Sequence, residues 1–108
     1  MNRGELWTVA GGVYASKPRP ALIIQDDRFS GTDSVTVLPL TSVAVDAPLL
    51  RLPIAPTPTA GLREPRYVMI DKLTTVRRVN MRDRLGRLSA NQLIEVERSL
   101  LVFLGLAE

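Results

Sequence analysis

The chain has 108 residues, of which 45% are hydrophobic, and this size and composition predict one compact domain with one core. It contains no cysteine and no histidine, which excludes disulfide frameworks, thiol nucleophiles, the usual zinc sites and acid–base catalysis by histidine. The net charge is +3 and nearly all the basic groups are arginines, whose planar fork suits phosphate or carboxylate, so the predicted partner is an anionic polymer or an acidic protein segment.

The first predicted strand leads into a cationic corner. The strand covers residues 5–10, a Gly-Gly turn at residues 11–12 closes it, and a loop follows at residues 13–16. Residues 17–20 read Lys-Pro-Arg-Pro, and the two prolines hold Arg19 in an extended conformation at the rim of a sheet. The alternative is that Arg19 is an ordinary solvated arginine at the start of a strand.

Two more strands are predicted on either side of a polar loop. Residues 21–25 begin with four consecutive apolar residues, which suits a buried strand. Residues 26–33 form the loop, with room for one helical turn, and residues 34–40 form the third strand. This strand brings the hydroxyls of Thr41 and Ser42 to the beginning of a loop. Taken alone, the pair is more typical of a turn whose hydroxyls bond their own backbone.

The middle of the chain is rich in proline. Residues 44–65 contain five prolines and one candidate strand at residues 49–54. Residues 54–61 carry too many prolines for a central strand and are predicted to be a mobile loop. Further extended segments are predicted at residues 67–72, 74–78 and 84–88, the last of them at a sheet edge.

Arginine is concentrated in the second half of the chain. The basic residues of this stretch are Arg63, Arg66, Lys72, Arg77, Arg78, Arg82, Arg84 and Arg87, and they are opposed only by Glu64, Asp71 and Asp83. Such a cluster predicts a surface that follows an anionic polymer. A solvated arginine-rich face without a partner remains the alternative.

One helix is predicted at the end of the chain. Ser89 and Gln92 have the spacing of a capping box, and Gly105 is a natural stop. The apolar residues of the helix fall on one stripe, formed by Leu93, Val96, Leu100, Phe103 and Leu104. Strands followed by a single amphipathic helix predict a mainly β fold, in which the helix packs on a small, curved antiparallel barrel.

The sequence also predicts a cytoplasmic location and no membrane partner. No apolar run approaches the roughly 20 residues that are needed to cross a bilayer. The first residues lack the apolar region of a signal peptide. We expect residues 1–108 to form one domain without a cofactor or a metal site.

Four segments in order and register resemble one family. They are Arg3-Gly4-Glu5-Leu6-Trp7, Lys17-Pro18-Arg19-Pro20-Ala21-Leu22-Ile23-Ile24, Val37-Leu38-Pro39-Leu40-Thr41-Ser42 and Arg84-Leu85-Gly86-Arg87-Leu88-Ser89. The chain resembles the MazF/PemK toxins, the endoribonuclease half of bacterial toxin–antitoxin pairs, from Arg3 to about Leu106.

The resemblance implies a fold, an activity and two protein partners. The implied fold is a curved SH3-like or PemK-like barrel with a C-terminal helix. The implied activity is that of an mRNA interferase, which arrests growth: metal-independent cleavage of single-stranded RNA at short sequences, with messenger, transfer or ribosomal RNA left open as the main target. The implied partners are a second copy of the chain and an antitoxin whose acidic, disordered tail covers the RNA groove.

The resemblance also implies roles for individual residues. Arg19 and Thr41 match catalytic positions of the family, and Asp71 matches an aspartate that serves as the base in one branch. The arginine that this branch carries two residues earlier is Met69 here, and a glutamate that many members carry before the Arg-Pro corner is replaced by Ala15 and Ser16. The residues predicted to contact RNA are Lys17, Ser42, Lys72, Arg77 and Arg78.

The predicted chemistry needs neither histidine nor metal. The 2′-hydroxyl of the RNA attacks its own phosphate, which gives a 2′,3′-cyclic phosphate and a 5′-hydroxyl. Arg19 is expected to stabilise the developing charge and Thr41 to donate to a phosphate oxygen. Asp71 or the RNA itself accepts the proton. Two other functions stay open: a non-catalytic nucleic-acid-binding barrel, and a gyrase-poisoning toxin that acts through contacts at the helix end.

Overall fold

The computed structural model describes residues 1–11 and 15–108, which form an antiparallel sheet and one helix. The seven strands are β1 (Glu5–Gly11), β2 (Ala15–Ile23), β3 (Ser34–Thr41), β4 (Arg51–Ile54), β5 (Arg66–Met69), β6 (Thr74–Arg77) and β7 (Met81–Arg87). The helix, α1, covers Ala90–Phe103, and short 3-10 turns cover Asp27–Phe29, Ile70–Lys72 and Arg78–Asn80. No helix within the described ranges is long and apolar enough to span a bilayer.

The sheet has the strand order β4-β5-β3-β2-β1-β7. The long strand β3 has two partners along the same edge: its first half pairs with β6 and its last two residues pair with β5. The pairings are antiparallel throughout. The mainly β fold with a C-terminal helix, which was predicted from the sequence, is therefore confirmed.

Each face of the sheet carries its own apolar cluster, because successive side chains of a strand point to opposite faces. The first cluster contains Leu6, Leu22 and Leu38, and α1 covers it through the fully buried Val96. The second cluster is formed by Val9, Ala21, Ile23, Val35, Val37, Val76 and Met81. The candidate site described below lies at the end of this second face.

The sheet is not closed by strand pairing, because β4 and β7 lie at opposite ends of the strand order of the described chain. The proline-rich loop over residues 55–65 instead lies against β7. The amide of Arg87 donates to the carbonyl of Thr59 at 2.9 Å. A Cβ atom at Gly86 would overlap the backbone of Thr59 and Ala60, and one at Gly61 would overlap the carbonyl of Leu85. The approach of the loop to β7 thus depends on two glycines.

The prediction for the start of β2 was wrong. The strand begins at Ala15, so residues 15–16 are not loop, the Lys-Pro-Arg-Pro corner lies within the strand, and residues 24–25 lie beyond its end. Proline is tolerated here because residues 19–20 pair with β1 alone, while the β3 pairs begin at residue 21. Residues 12–14, predicted as part of the turn and loop, lie outside the described residues.

Several later boundaries also differ from the prediction. The fifth strand ends at Met69 rather than residue 72, because the chain turns at Ile70–Lys72, where the buried Ile70 donates its amide to the carbonyl of Leu50 at 3.0 Å. The segment predicted at residues 74–78 ends at Arg77. The fourth strand is shorter than residues 49–54, and the last strand is longer than residues 84–88.

The predicted ends of α1 are confirmed. Ser89 accepts from the amide of Gln92 at 3.1 Å, and Gln92 accepts from the amide of Ser89 at 2.9 Å, which completes the capping box. Gly105 has φ +75° and closes a Schellman motif. The predicted stripe, however, is fully buried only at Val96, and Leu93 and Leu100 are half-buried. Phe103 and Leu104 are each 46% exposed, because the helix extends past the sheet that covers Val96.

Candidate active site

A cavity of about 490 Å³ lies where β2, β3 and the turn after β5 meet. Three of the predicted site residues, Arg19, Thr41 and Lys72, line it together. The remaining lining residues are Pro39, Leu40, Met69, Thr74 and Thr75. Two cations and three hydroxyl groups around one cavity are suited to an anionic, hydrogen-bonding ligand such as a phosphodiester.

The strand register brings Arg19 to Thr41. On β2, Ala21 pairs with Pro39 of β3, and in an antiparallel pair the next residues on the same face are Arg19 and Thr41. Arg19 also pairs with Val9 of β1, which fixes its backbone from the other side. The guanidinium is exposed at the end of the face whose interior is the second apolar cluster.

The Thr41 hydroxyl has a local partner that leaves its proton available. Its oxygen accepts a hydrogen bond from the amide of Val43 at 3.1 Å. A hydroxyl has one proton and two lone pairs, so this bond fixes the oxygen without using the proton. The turn-stabilising role expected from the sequence is therefore present, and it orients the hydroxyl at the cavity. Ser42 is exposed and lies outside the lining of the cavity.

The turn at Ile70–Lys72 supplies Lys72 to the cavity and directs Asp71 elsewhere. The Asp71 carboxylate contacts the Arg51 guanidinium, and their side chains are 23% and 15% exposed. The hydrogen bond from Arg51 lowers the pKa of Asp71 below its usual value, although partial burial acts in the opposite direction. Asp71 is thus ionised at neutral pH and engaged with a cation, and it is not among the residues that line the cavity.

Arg51, Thr74 and Thr75 were not predicted as site residues. Arg51 lies directly opposite Met69 in the pairing of β4 with β5, and its guanidinium reaches Asp71 from there. No local pattern in the sequence links residues that are 20 positions apart. The two threonines had a usable signal, since they follow Lys72 closely at the start of a predicted extended segment.

The remaining predicted RNA contacts lie away from this cavity. Arg77 and Arg78 line a second cavity of about 540 Å³, beside the turn over residues 30–33. The Arg78 guanidinium donates to the carbonyl of Thr32 at 2.9 Å. The two cavities lie at opposite ends of β6. Lys17 is exposed on β2 two residues before Arg19, and is not among the lining residues of either cavity.

The described residues hold no cluster of three or more carboxylates with the spacing of a metal site.

The family model described as PemK-like, MazF-like toxin of type II toxin-antitoxin system matches residues 2–104. The chain belongs to this family.

Curated relatives match over nearly the whole chain. The probable endoribonuclease MazF of Mycolicibacterium smegmatis is 54% identical over 108 residues, which is 99% of each chain. Endoribonuclease MazF9 of Mycobacterium tuberculosis is 28% identical over 116 residues, with 98% of each chain covered.

Solved structures of a mycobacterial endoribonuclease and of a MazF toxin share the fold. An endoribonuclease in complex with its cognate antitoxin from a mycobacterial species gives a TM-score of 0.80 at 24% identity, covering 100% of this chain and 98% of that one. The Mycobacterium tuberculosis toxin MazF-mt6 gives 0.79 at 20% identity, covering 94% of this chain and 96% of that one. The PemK-like architecture inferred from the four segments is thus confirmed.

The first of the four family segments has a structural role in this MazF-like chain. Arg3 donates to the carboxylate of Glu97 on α1 at 2.9 Å and to the carbonyl of Ile24 at 3.1 Å. Gly4 has φ +89°, which favours glycine. Glu5 accepts from the Trp7 indole at 3.0 Å. The segment therefore fastens the start of β1 to the helix and lies outside the cavity lining.

Proposed function

We propose that the chain is the toxin of a toxin–antitoxin pair, a single-domain endoribonuclease that cleaves single-stranded RNA at short sequences without a metal ion. One observation carries the proposal: Arg19, Thr41 and Lys72 line one cavity. Membership of the toxin family and the endoribonuclease names of the curated relatives support it.

The proposed reaction is an internal transfer. The 2′-hydroxyl loses its proton and its oxygen forms a bond to phosphorus, while the bond from phosphorus to the 5′-oxygen breaks. The 5′-oxygen takes up a proton from water, which leaves a 2′,3′-cyclic phosphate and a 5′-hydroxyl. Arg19 and Lys72 stabilise the charge on the phosphoryl oxygens, and Thr41 donates its free proton to one of them. The fixed hydroxyl of Thr41 lowers the cost of orienting the phosphate.

Two groups are candidates to accept the proton that leaves the 2′-hydroxyl. Asp71 is ionised, as an acceptor must be, but it is paired with Arg51 outside the cavity lining, and its lowered pKa makes it a weak base. An oxygen of the RNA phosphate is the other candidate. In single-turnover reactions of folded Asp71→Asn, a rate loss of a hundredfold or more assigns the proton to Asp71, and a rate within about tenfold of the parent assigns it to the RNA.

The proposed partners are RNA, a second copy of the chain and a cognate antitoxin, all in the cytoplasm. An acidic antitoxin tail suits the cations of the two cavities, so we expect it to compete with RNA.

Exposed apolar residues at the end of α1 and on the nearby loop support a dimer, because large exposed apolar patches usually mark an interface. They are Leu49, Leu101, Val102, Phe103, Leu104 and Leu106.

Cleavage of a long mixed RNA by the purified protein in excess EDTA tests the function. Sequencing of the new 5′ ends should give one short recognition sequence, with a 5′-hydroxyl at each cut. Activity that disappears with chelator and returns with magnesium would overturn the proposed mechanism. Binding without cleavage would support the non-catalytic barrel, and inhibition of gyrase supercoiling without cleavage would support the gyrase poison.

A further inference from the structure

Tyr67 continues the row of site residues across the sheet. Thr41 and Tyr67 are directly paired between β3 and β5. Directly opposed residues of an antiparallel pair share a face, with Cα atoms about 4.5 to 5.5 Å apart. Met69, two residues further along β5, lines the cavity, so the alternation of the strand puts Tyr67 on the cavity face as well.

The surroundings of Tyr67 leave its ring available to a ligand. The side chain is half-buried, and its other neighbour in the row is the exposed Pro53 of β4. Tyr67 is not among the residues that line the cavity, but it lies on the same face of the sheet beside Thr41, on the side away from Arg19. A half-buried aromatic ring in this position can serve as a platform for another flat group.

The other aromatic residues of the described chain are placed elsewhere. Trp7 packs on the second apolar cluster and donates its indole N–H to Glu5. Phe29 lies in the polar loop beneath the guanidinium of Arg28, and Phe103 lies at the end of α1. Within the described ranges, Tyr67 is the aromatic residue paired with a lining residue of the cavity.

We propose that Tyr67 stacks on the nucleobase beside the phosphate that Arg19 and Thr41 bind. The inference rests on the proposed function, and it adds a residue that binds the base rather than the phosphate. Proteins hold single-stranded RNA largely by stacking its bases on aromatic side chains, each stack contributing affinity that alanine substitution removes. A platform one strand away from Thr41 would hold the base while the phosphate stays at the cavity.

The test compares the binding of the parent, Tyr67→Phe and Tyr67→Leu to an RNA that cannot be cleaved. The probe is a short RNA containing the mapped site, with a 2′-deoxy sugar at the attacking nucleotide. Tyr67→Phe keeps the ring and is the matched control for the hydroxyl, whereas Tyr67→Leu removes the ring. We expect Phe to bind like the parent and Leu to bind roughly fivefold to a hundredfold more weakly. On cleavable RNA, Leu should raise KM far more than it lowers kcat.

A second probe identifies the stacked base. The same RNA is made with an abasic site on either side of the cleaved phosphate. If Tyr67 stacks on one of these bases, then removing that base should abolish the difference between the parent and Tyr67→Leu. Tyr67→Val, a β-branched residue that suits a strand, is a second ring-free variant if Leu does not fold.

The outcomes separate this inference from the proposed function. Ring-free variants that bind the probe like the parent would overturn the stacking proposal, as would a Phe variant that loses as much affinity as Leu. A ring-free loss that persists unchanged on both abasic RNAs would also overturn it. None of these outcomes concerns cleavage by the parent, so the proposed function would stand. A parent that does not cleave RNA would instead refute the proposed function.

Discussion

The backbone of β2 determines where Arg19 lies. Pro18 and Pro20 restrict the backbone on either side of it, and its pairing with Val9 fixes its register in the sheet. Thr41 is oriented differently, by a hydrogen bond from the amide of Val43. At the scale of single residues, the backbone of Arg19 and the hydroxyl oxygen of Thr41 are therefore held in place by the fold, and a donor held in place in this way is suited to stabilising a charged transition state.

The first prediction concerns the planar, bidentate guanidinium of Arg19. Arg19→Lys keeps the positive charge but loses the two-pronged donor, so it should slow the chemical step about a hundredfold to a thousandfold while RNA affinity falls much less. Single-turnover cleavage and RNA binding measure the two effects. Arg82→Lys, at an exposed arginine of β7, is the matched control and should keep the parent rate. Near-parent cleavage by Arg19→Lys would reject the site.

The second prediction concerns the Thr41 hydroxyl. Thr41→Val should slow cleavage and, because it also loses the bond from Val43, lower the melting temperature, whereas Thr41→Ser restores the hydroxyl and should recover both. Combined with Arg19→Lys, Thr41→Val should lose less than the product of the single losses, because both residues are proposed to serve one phosphate. A fully multiplicative loss would show that they act on separate groups.

The third prediction concerns Glu5 and acid stability. Burial raises the pKa of Glu5, but hydrogen bonds from the Asn2 amide, the Trp7 indole and the Arg84 guanidinium outweigh it and lower the pKa from 4.5 to about 2. A carboxyl whose folded pKa is depressed stabilises the fold above its unfolded pKa, and this stabilisation is lost as the pH falls from about 4.5 towards 2.

Glu5→Gln should therefore cost about 2 kcal/mol at neutral pH and make the loss of stability on acidification shallower, as measured by denaturant unfolding between neutral pH and pH 2. Glu108→Gln, at the exposed end of the chain, is the control. An unchanged acid profile in Glu5→Gln would contradict the assignment.

Among the elements, the loop over residues 55–65 covers β7 at the end of the sheet, where strand pairing does not close the sheet. The hydrogen bond from Arg87 to Thr59 ties the loop to the strand. The buried Ala60 anchors it in the first apolar cluster. An edge strand covered in this way is protected from pairing with other chains.

The fourth prediction tests this contact through glycine. Gly86→Ala places a Cβ atom against the backbone of Thr59 and Ala60, which cannot yield as a flexible side chain could, so it should destabilise the protein by at least about 3 kcal/mol. Gly31→Ala meets nothing within 4 Å and should leave stability within about 0.5 kcal/mol. Denaturant unfolding compares the two. Equal stabilities would show that the loop is not held against β7.

At the scale of the whole molecule, the exposed apolar end of α1 contrasts with the cavity that Arg19 and Lys72 line. Leu49 and Leu50 face Val102 and Phe103 around a cavity of about 310 Å³. Apolar surface of this kind is stabilised when another surface covers it. A second copy of the chain is the occupant implied by the proposed dimer.

The fifth prediction concerns this assembly. Light scattering should give a dimer mass at micromolar concentration. Val102→Asp should shift it towards the monomer mass, because a buried, unpaired charge at an interface is costly. Asn91→Asp, at an exposed position on the same helix, should stay dimeric. A parent that is monomeric and fully active, or a dimeric Val102→Asp, would contradict the prediction.

The sequence by itself determined the features whose causes are local. The capping box of Ser89 and Gln92 and the glycine stop at Gly105 were read correctly, because hydrogen bonds within a few residues create them. The antiparallel, mainly β fold followed from the alternating strands and their turns. Arg19 and Thr41 were named as partners from family segments, and they do line one cavity.

Only the tertiary structure decided the features that depend on long-range pairing. The pairing partner of each strand fixed where β2 begins, why its prolines are tolerated and where β5 ends. Strand pairing placed Arg51 near Asp71 and Tyr67 beside Thr41. The folded chain also placed the loop over residues 55–65 against Gly86. The physical reason is that a strand pattern specifies which face is buried but not which distant strand lies beside it, so residues that meet across a sheet carry no local signal.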